Sequence, residues 1–102
     1  MDADTMIEAL EREWEFDSGF FGRLRRGEFD KAGFSRLIDI LGHIDLQDST
    51  SVDRRVVSLL WYMPLFMGWQ AERVQESGVS VEDFDKAINQ VHNLLEGILG
   101  IP

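Results

Sequence analysis

The chain of 102 residues contains no cysteine. This absence excludes disulfide bonds and thiolate metal sites, so the fold requires no oxidising compartment. Histidine is almost as scarce, because His43 and His92 are the only two. They lie far apart in sequence, and neither belongs to the Glu-x-x-His pattern of di-iron helical bundles. The sequence therefore predicts no metal site and no cofactor.

Sequence signals of catalysis are missing as well. No glycine-rich phosphate loop is present, because Gly19 and Gly22 are too few and wrongly spaced. The serines fall mostly where helices are expected to start and end, which favours capping roles over that of a nucleophile beside a base. We therefore expect that the protein is not an enzyme.

The chain has few basic residues relative to acidic ones. Ten lysines and arginines stand against nineteen aspartates and glutamates, which gives a net charge of −9. Such a charge repels nucleic acid and anionic lipid and attracts basic proteins. The small basic cluster at residues 23–26 is too weak a signal to predict nucleic-acid binding. The acidic N-terminal segment also lacks the basic start of a secretory signal, so a cytoplasmic location is expected.

The longest apolar stretch is SLLWYMPLFMGWQ, residues 58–70. It is shorter than the roughly 20 apolar residues of a membrane span, and charged residues bracket it on both sides. A run of this length favours a buried core helix. Pro64 removes a backbone donor in its middle, which predicts a kink. We expect Trp61 to be among the most buried residues and Tyr62, Phe66 and Trp69 to supply most of the remaining core area. The alternative is that Trp69 or Tyr62 is exposed at an interface.

Helical spacing of apolar residues recurs along the chain, and no period-two alternation persists. Cap and stop signals predict four main helices and one short one. The expected spans of the main helices are about 5–15, 31–42, 52–76 and 81–98. The short helix is expected to pass through Phe20, Phe21 and Leu24 and to be closed by Gly27. The first helix is expected to begin at Thr5, in a capping box with Glu8. The expected N-caps of the other four helices, in chain order, are Asp17 or Ser18 for the short helix, then Asp30, then Thr50 or Ser51, and finally Ser80. The predicted fold is one all-α domain, residues 1–102, a compact bundle around a long, Pro-kinked central helix.

The first predicted helix carries the densest acidic patch. Glu8, Glu11 and Glu15 recur at spacings of three and four, which predicts one acidic face. This face is either solvated and paired with arginines 23, 25 and 26, or a binding surface. Exposed aromatic residues are the usual anchors of such a surface. The predicted partner-binding residues are Glu8, Glu11, Trp14, Glu15, Asp17 and Trp69.

Two stretches carry a family resemblance, GRLRRGEFD…FSRLIDIL and RRVVSLLWYMPLFMGWQAERV. Together with the acidic, cysteine-free, helical character, they resemble the immunity proteins that bacteria make against polymorphic or contact-dependent growth-inhibition toxins. The resemblance implies a cytoplasmic partner of a toxin domain, often a nuclease, bound through acidic residues that mimic phosphates. It assigns no site residue by residue.

Two other classes of function stay open. One is a helical adaptor that homodimerises through the aromatic run, and the other is a small enzyme or ligand carrier with a pocket at the Pro64 kink. An immunity protein would be a monomer or a weak homodimer with a dense negative face, whereas an adaptor would show a large apolar patch and self-association.

Overall fold

The computed structural model describes residues 2–102, and helices are the only regular elements in this range. The all-α prediction is therefore confirmed for the part of the chain that the structure describes. Six helices follow one another within extents of 43 × 29 × 19 Å. They are α1 (Ala3–Arg12), α2 (Phe20–Leu24), α3 (Lys31–Gly42), α4 (Arg54–Trp69), α5 (Ala71–Glu76) and α6 (Val81–Leu99).

Helix α4 occupies the centre of the fold, with α1, α5 and α6 packed against it. One side of α4 is apolar and buried, and it faces the apolar stripes of α1 and α6. These stripes arise because apolar residues recur at helical spacing, which places them on one face. Pro64 lies inside α4, which continues through it from Arg54 to Trp69. The kink at Pro64 stays a prediction.

Helix α1 begins and ends earlier than its sequence pattern predicts. The Asp2 carboxylate accepts a hydrogen bond from the Thr5 N–H at 2.8 Å, so Asp2 and not Thr5 is the N-cap. Aspartate is at least as good a cap as threonine, and it lies closer to the chain start. That backbone hydrogen bond lowers the pKa of Asp2, so its capping strength is lost as the pH falls below the ordinary aspartate range.

The segment between α1 and α2 doubles back at very close range, and two glycines make this possible. A Cβ built on Gly19 would lie 2.4 Å from the Glu13 carbonyl carbon, and one built on Gly22 would lie 1.8 Å from the Glu15 oxygen. Gly19 occupies the N-cap position of α2, where Asp17 or Ser18 was predicted. Close backbone approach, rather than a side-chain cap, therefore determines where α2 begins.

The predicted long helix over residues 52–76 is two helices. Its N-cap is Asp53, whose carboxylate accepts from the Arg55 N–H at 2.8 Å, rather than Thr50 or Ser51. The helix stops at Gln70, and α5 then continues to Glu76. Contacts with the turn after α2 orient α5. Arg73 donates to the Arg25 carbonyl at 2.7 Å, and the Ser77 hydroxyl donates to the Gly27 carbonyl at 2.6 Å.

An ion pair between the buried Glu13 and the half-exposed Arg36 joins the end of α1 to α3. Glu13 is only 2% exposed, and its carboxylate accepts two hydrogen bonds from the Arg36 guanidinium, both at 2.7 Å. It also accepts from the Phe20 N–H at 3.0 Å. The hydrogen bond to Glu13 raises the pKa of Arg36 above its ordinary value. The pair fixes the α1–α2 connection against α3 and ends α1 at Arg12.

Removing the arginine of this pair should be costly. The variant Arg36→Ala leaves the Glu13 charge buried without its main partner, which is expected to lower the free energy of unfolding by about 3 kcal/mol. Arg12→Ala is the matched control, because the Arg12–Glu8 pair is exposed on both sides and should contribute less than about 0.5 kcal/mol. Urea unfolding of both variants measures the difference, and equal losses would show that Glu13 does not depend on Arg36.

Candidate functional site: an acidic face on α1 and an apolar ridge on α4

The predicted acidic face on the first helix is present with a different membership. Glu8 and Glu11 are exposed on α1, whereas Glu15 lies beyond the end of this helix, so its predicted place on the face is wrong. The Glu15 carboxylate accepts from the Ser18 hydroxyl at 2.7 Å instead. Asp4 takes its place, because residues 4, 8 and 11 are spaced by four and three and are all exposed. We call Asp4, Glu8 and Glu11 the α1 face.

Arginines lie beside two carboxylates of the α1 face. Arg12 donates to Glu8 at 2.6 Å, and Arg55 of α4 donates to Glu11 at 2.8 Å. All four side chains are well exposed, so solvent screens both pairs and each stabilises the fold only weakly. A basic partner can therefore displace these arginines at little cost and bind the same carboxylates.

Asp17 and Trp14, two further predicted site residues, lie apart from the α1 face. Asp17 is exposed and is 3.7 Å from Arg26. Trp14 packs against the core, stacked on Phe21 at 4.3 Å with Phe66 at its edge. Its buried indole N–H has no hydrogen-bond partner among the residues described. Trp14 therefore presents only part of its ring to a partner.

Trp69, the last predicted site residue, lies on an exposed apolar ridge. Its side chain is 61% exposed. Trp61 and Leu65 precede it at intervals of four residues, and they are 53% and 41% exposed. Val57, half-buried, begins the row. We call Val57, Trp61, Leu65 and Trp69 the α4 ridge. The prediction that Trp61 is among the most buried residues is wrong.

The reason for this error lies in the helix phase. Apolar residues go round the whole of α4, so periodicity alone does not say which side is buried. The few residues that are not large and apolar carry the missing signal. Arg54, Ser58 and Gly68 share one face of α4 with Trp61, because their spacings of four, three and seven residues are helical. This face points away from the core.

Tyr62 holds the two tryptophans of the ridge in place. Its ring meets Trp61 edge-on at 5.5 Å and Trp69 edge-on at 5.7 Å. Edge-to-face contacts of this kind are favourable, and they restrict the rings before any partner arrives. Ordering of this kind lowers the entropy cost of any contact that the two rings make.

The rest of the described surface carries a concavity but no cluster of metal ligands. Within residues 2–102, no three histidine or carboxylate side chains are grouped so that they could hold a metal ion. A concavity of about 480 Å³ lies between the loop before α4 and the end of α6. Pro64, where the ligand-carrier alternative places its pocket, does not line this concavity.

Neither a membrane-spanning helix, within the part of the chain that the structure describes, nor a match to known proteins is found. Across the described residues, no helix combines the length and the hydrophobicity needed to cross a membrane. Protein-family models, curated proteins and solved structures all give no match to the chain.

Proposed function

We propose that the protein is a non-enzymatic binding protein that neutralises a basic protein partner, a toxin domain of the kind that immunity proteins bind. The α1 face carries this proposal. Three exposed carboxylates lie on one side of a helix in a chain of net charge −9. The proposed place of action is the cytoplasm, where such toxin domains act.

Electrostatics gives the α1 face two roles in this function. The net charge attracts a basic domain over about one Debye length, roughly 30 Å at 0.01 M salt, and raises the association rate. The local carboxylates then orient the partner and replace the arginines that pair with Glu8 and Glu11. Because those internal pairs are exposed and weak, the exchange favours the complex whenever the partner brings better-placed arginines or lysines.

The test starts with a toxin domain encoded beside this chain's gene, which the proposal expects to exist. Co-expression should restore growth of cells that produce the toxin domain, and the two purified proteins should form a complex in calorimetry. The variant Asp4→Lys/Glu8→Lys/Glu11→Lys should bind at least about tenfold more weakly, because rim charges opposite basic groups become repulsive. Absence of protection and of binding by the natural chain would overturn the proposal.

A matched control separates local contact from total charge. Glu76, Asp85 and Glu96 are exposed and lie on α5 and α6. Each Glu or Asp to Lys reversal raises the net charge by two, so both triple variants carry −3. The α5/α6 variant should retain most of the affinity. Equal weakening by both variants would show that the α1 face is not the contact surface.

A second candidate function is a helical adaptor or homo-oligomeric interaction module. The exposed α4 ridge favours it, since contiguous apolar patches on soluble proteins mark interaction sites. In that case the protein would join partners through α4, and the α1 face would serve mainly solubility. An adaptor would bind through α4 whether or not the three carboxylates are reversed, so the same α1 variant distinguishes the two candidates.

A further inference from the structure

The α4 ridge supplies part of the area that a specific dimer interface needs. With about 250 Å² for a whole tryptophan side chain, the exposed parts of Trp61, Leu65 and Trp69 amount to roughly 350 Å² per chain. Two copies placed ridge to ridge would remove roughly 700 Å² from water, more than half of the about 1,200 Å² at the lower end of specific interfaces. The half-exposed flanks at Tyr62 and Pro64 add to this area.

The order of residue sizes along the ridge suits a two-fold axis. Small and large side chains alternate in the order Val57, Trp61, Leu65, Trp69. A two-fold axis through the middle of the row, near position 63, pairs residue 57 with residue 69 and residue 61 with residue 65 of the other copy. Each tryptophan then meets a smaller aliphatic side chain rather than a second tryptophan. A parallel arrangement in register would place tryptophan against tryptophan.

We infer that the α4 ridge is the interface of an antiparallel, two-fold homodimer. Rows of residues spaced by four pack into one another at a crossing angle of about −50°. Two of the neighbours that flank the ridge are small, Ser58 at one end and Gly68 at the other. A Cβ at Gly68 would meet no atom within 4 Å in the monomer, so the space beside it is open to the second copy.

Charge is compatible with this arrangement despite the net −9 of each chain. No charged residue lies on α4 between Val56 and Trp69, so no carboxylates are buried against each other. The antiparallel order separates the two Arg54 side chains and brings each towards the first turn of α5 in the other copy, which carries Glu72. The net charge of −9 on each chain still makes the two copies repel each other. Rising salt should strengthen the dimer, because it screens this repulsion.

The first test is sedimentation equilibrium between about 5 µM and 1 mM, the range in which small interfaces of this kind associate. The natural chain should form dimers. Leu65→Gln should lower the dimer affinity at least about tenfold, because Leu65 lies near the centre of the proposed interface. Leu99→Gln is the matched control, because Leu99 is 40% exposed against 41% for Leu65 and lies at the end of α6. Its dimerisation should be unchanged.

The second test determines orientation and uses the absence of natural cysteine. The variants Ser58→Cys and Gly68→Cys are mixed and treated with a short bismaleimide. An antiparallel pair brings position 58 of one copy near position 68 of the other, so the mixture should cross-link far better than either variant alone. A chain that stays monomeric at about 1 mM overturns the inference and leaves the ridge to a different protein. Efficient cross-linking of Ser58→Cys alone, or equal losses in Leu65→Gln and Leu99→Gln, also overturns it.

Discussion

Replacing Gly22 by alanine is expected to destabilise the fold by about 4 kcal/mol or more, a large part of the stability of a small domain. The added Cβ would lie 1.8 Å from the Glu15 carbonyl oxygen and 2.5 Å from its carbon. These are backbone atoms, so no side-chain rotation relieves the clash. The α1–α2 connection would have to move, and Phe20 and Phe21, both fully buried, would move with it.

Gly97→Ala is the control for this prediction. Gly97 lies inside α6, and a Cβ there would meet nothing within 4 Å. Alanine favours a helix over glycine, so this variant should be as stable as the natural chain or more stable by up to about 1 kcal/mol. Circular dichroism during thermal unfolding compares the two. Similar melting temperatures for both variants would mean that the α1–α2 connection has more room than the structure shows.

The second large effect is expected at Phe21, and it contrasts with Trp61. Phe21 is fully buried between Trp14 and Phe20, whereas Trp61 is 53% exposed. Phe21→Ala should lower the free energy of unfolding by about 3–5 kcal/mol through lost burial and a cavity. Trp61→Ala should lower it by only about 1–2 kcal/mol, because about half of the ring is already in water.

Urea unfolding at low micromolar protein concentration tests this contrast without interference from self-association. A loss at Trp61 as large as that at Phe21 would place Trp61 in the core and remove the α4 ridge. Unchanged stability in Phe21→Ala would contradict the packing of the α1–α2 connection.

Those parts of the fold that depend on neighbouring residues could be predicted from the sequence. Ser80 caps α6 through the Asp83 N–H at 3.1 Å, as predicted, and α3 ends at Gly42, the last residue of its predicted span. Gly78 follows the end of α5 and has a φ of +102°, a conformation that glycine adopts without strain. Asp30 holds the predicted N-cap position of α3, although its carboxylate binds Arg23 rather than a backbone amide.

The errors occur where a distant contact outweighs the local pattern. The helical spacing of the first segment continues to residue 15, yet α1 ends at Arg12. Glu13 is withdrawn into the ion pair with Arg36, 23 residues away, and a pairing at that separation leaves no local signal. The error about the acidic face has the same cause, because Glu15 lies beyond the end of α1 at Arg12.

The buried side of α4 could not be predicted from the sequence for a different reason. The sequence predicted a helix there, and the helix exists, but a helix apolar on every side has no preferred buried face by periodicity. The choice of face depends on which neighbours cover it, and the helices beside α4 cover only one side. Trp69, which was expected at a contact surface, and Trp61, which was expected in the core, therefore share the exposed side.

The central claim is that the α1 face guides a basic partner onto this protein, and its most direct test is the association rate with the toxin domain in stopped flow. At about 0.01 M salt, where the Debye length is about 30 Å, Asp4→Lys/Glu8→Lys/Glu11→Lys should associate at least about tenfold more slowly than Glu76→Lys/Asp85→Lys/Glu96→Lys. At about 0.15 M salt the two rates should approach each other. Because both variants carry the same net charge, equal rates at low salt would contradict the claim.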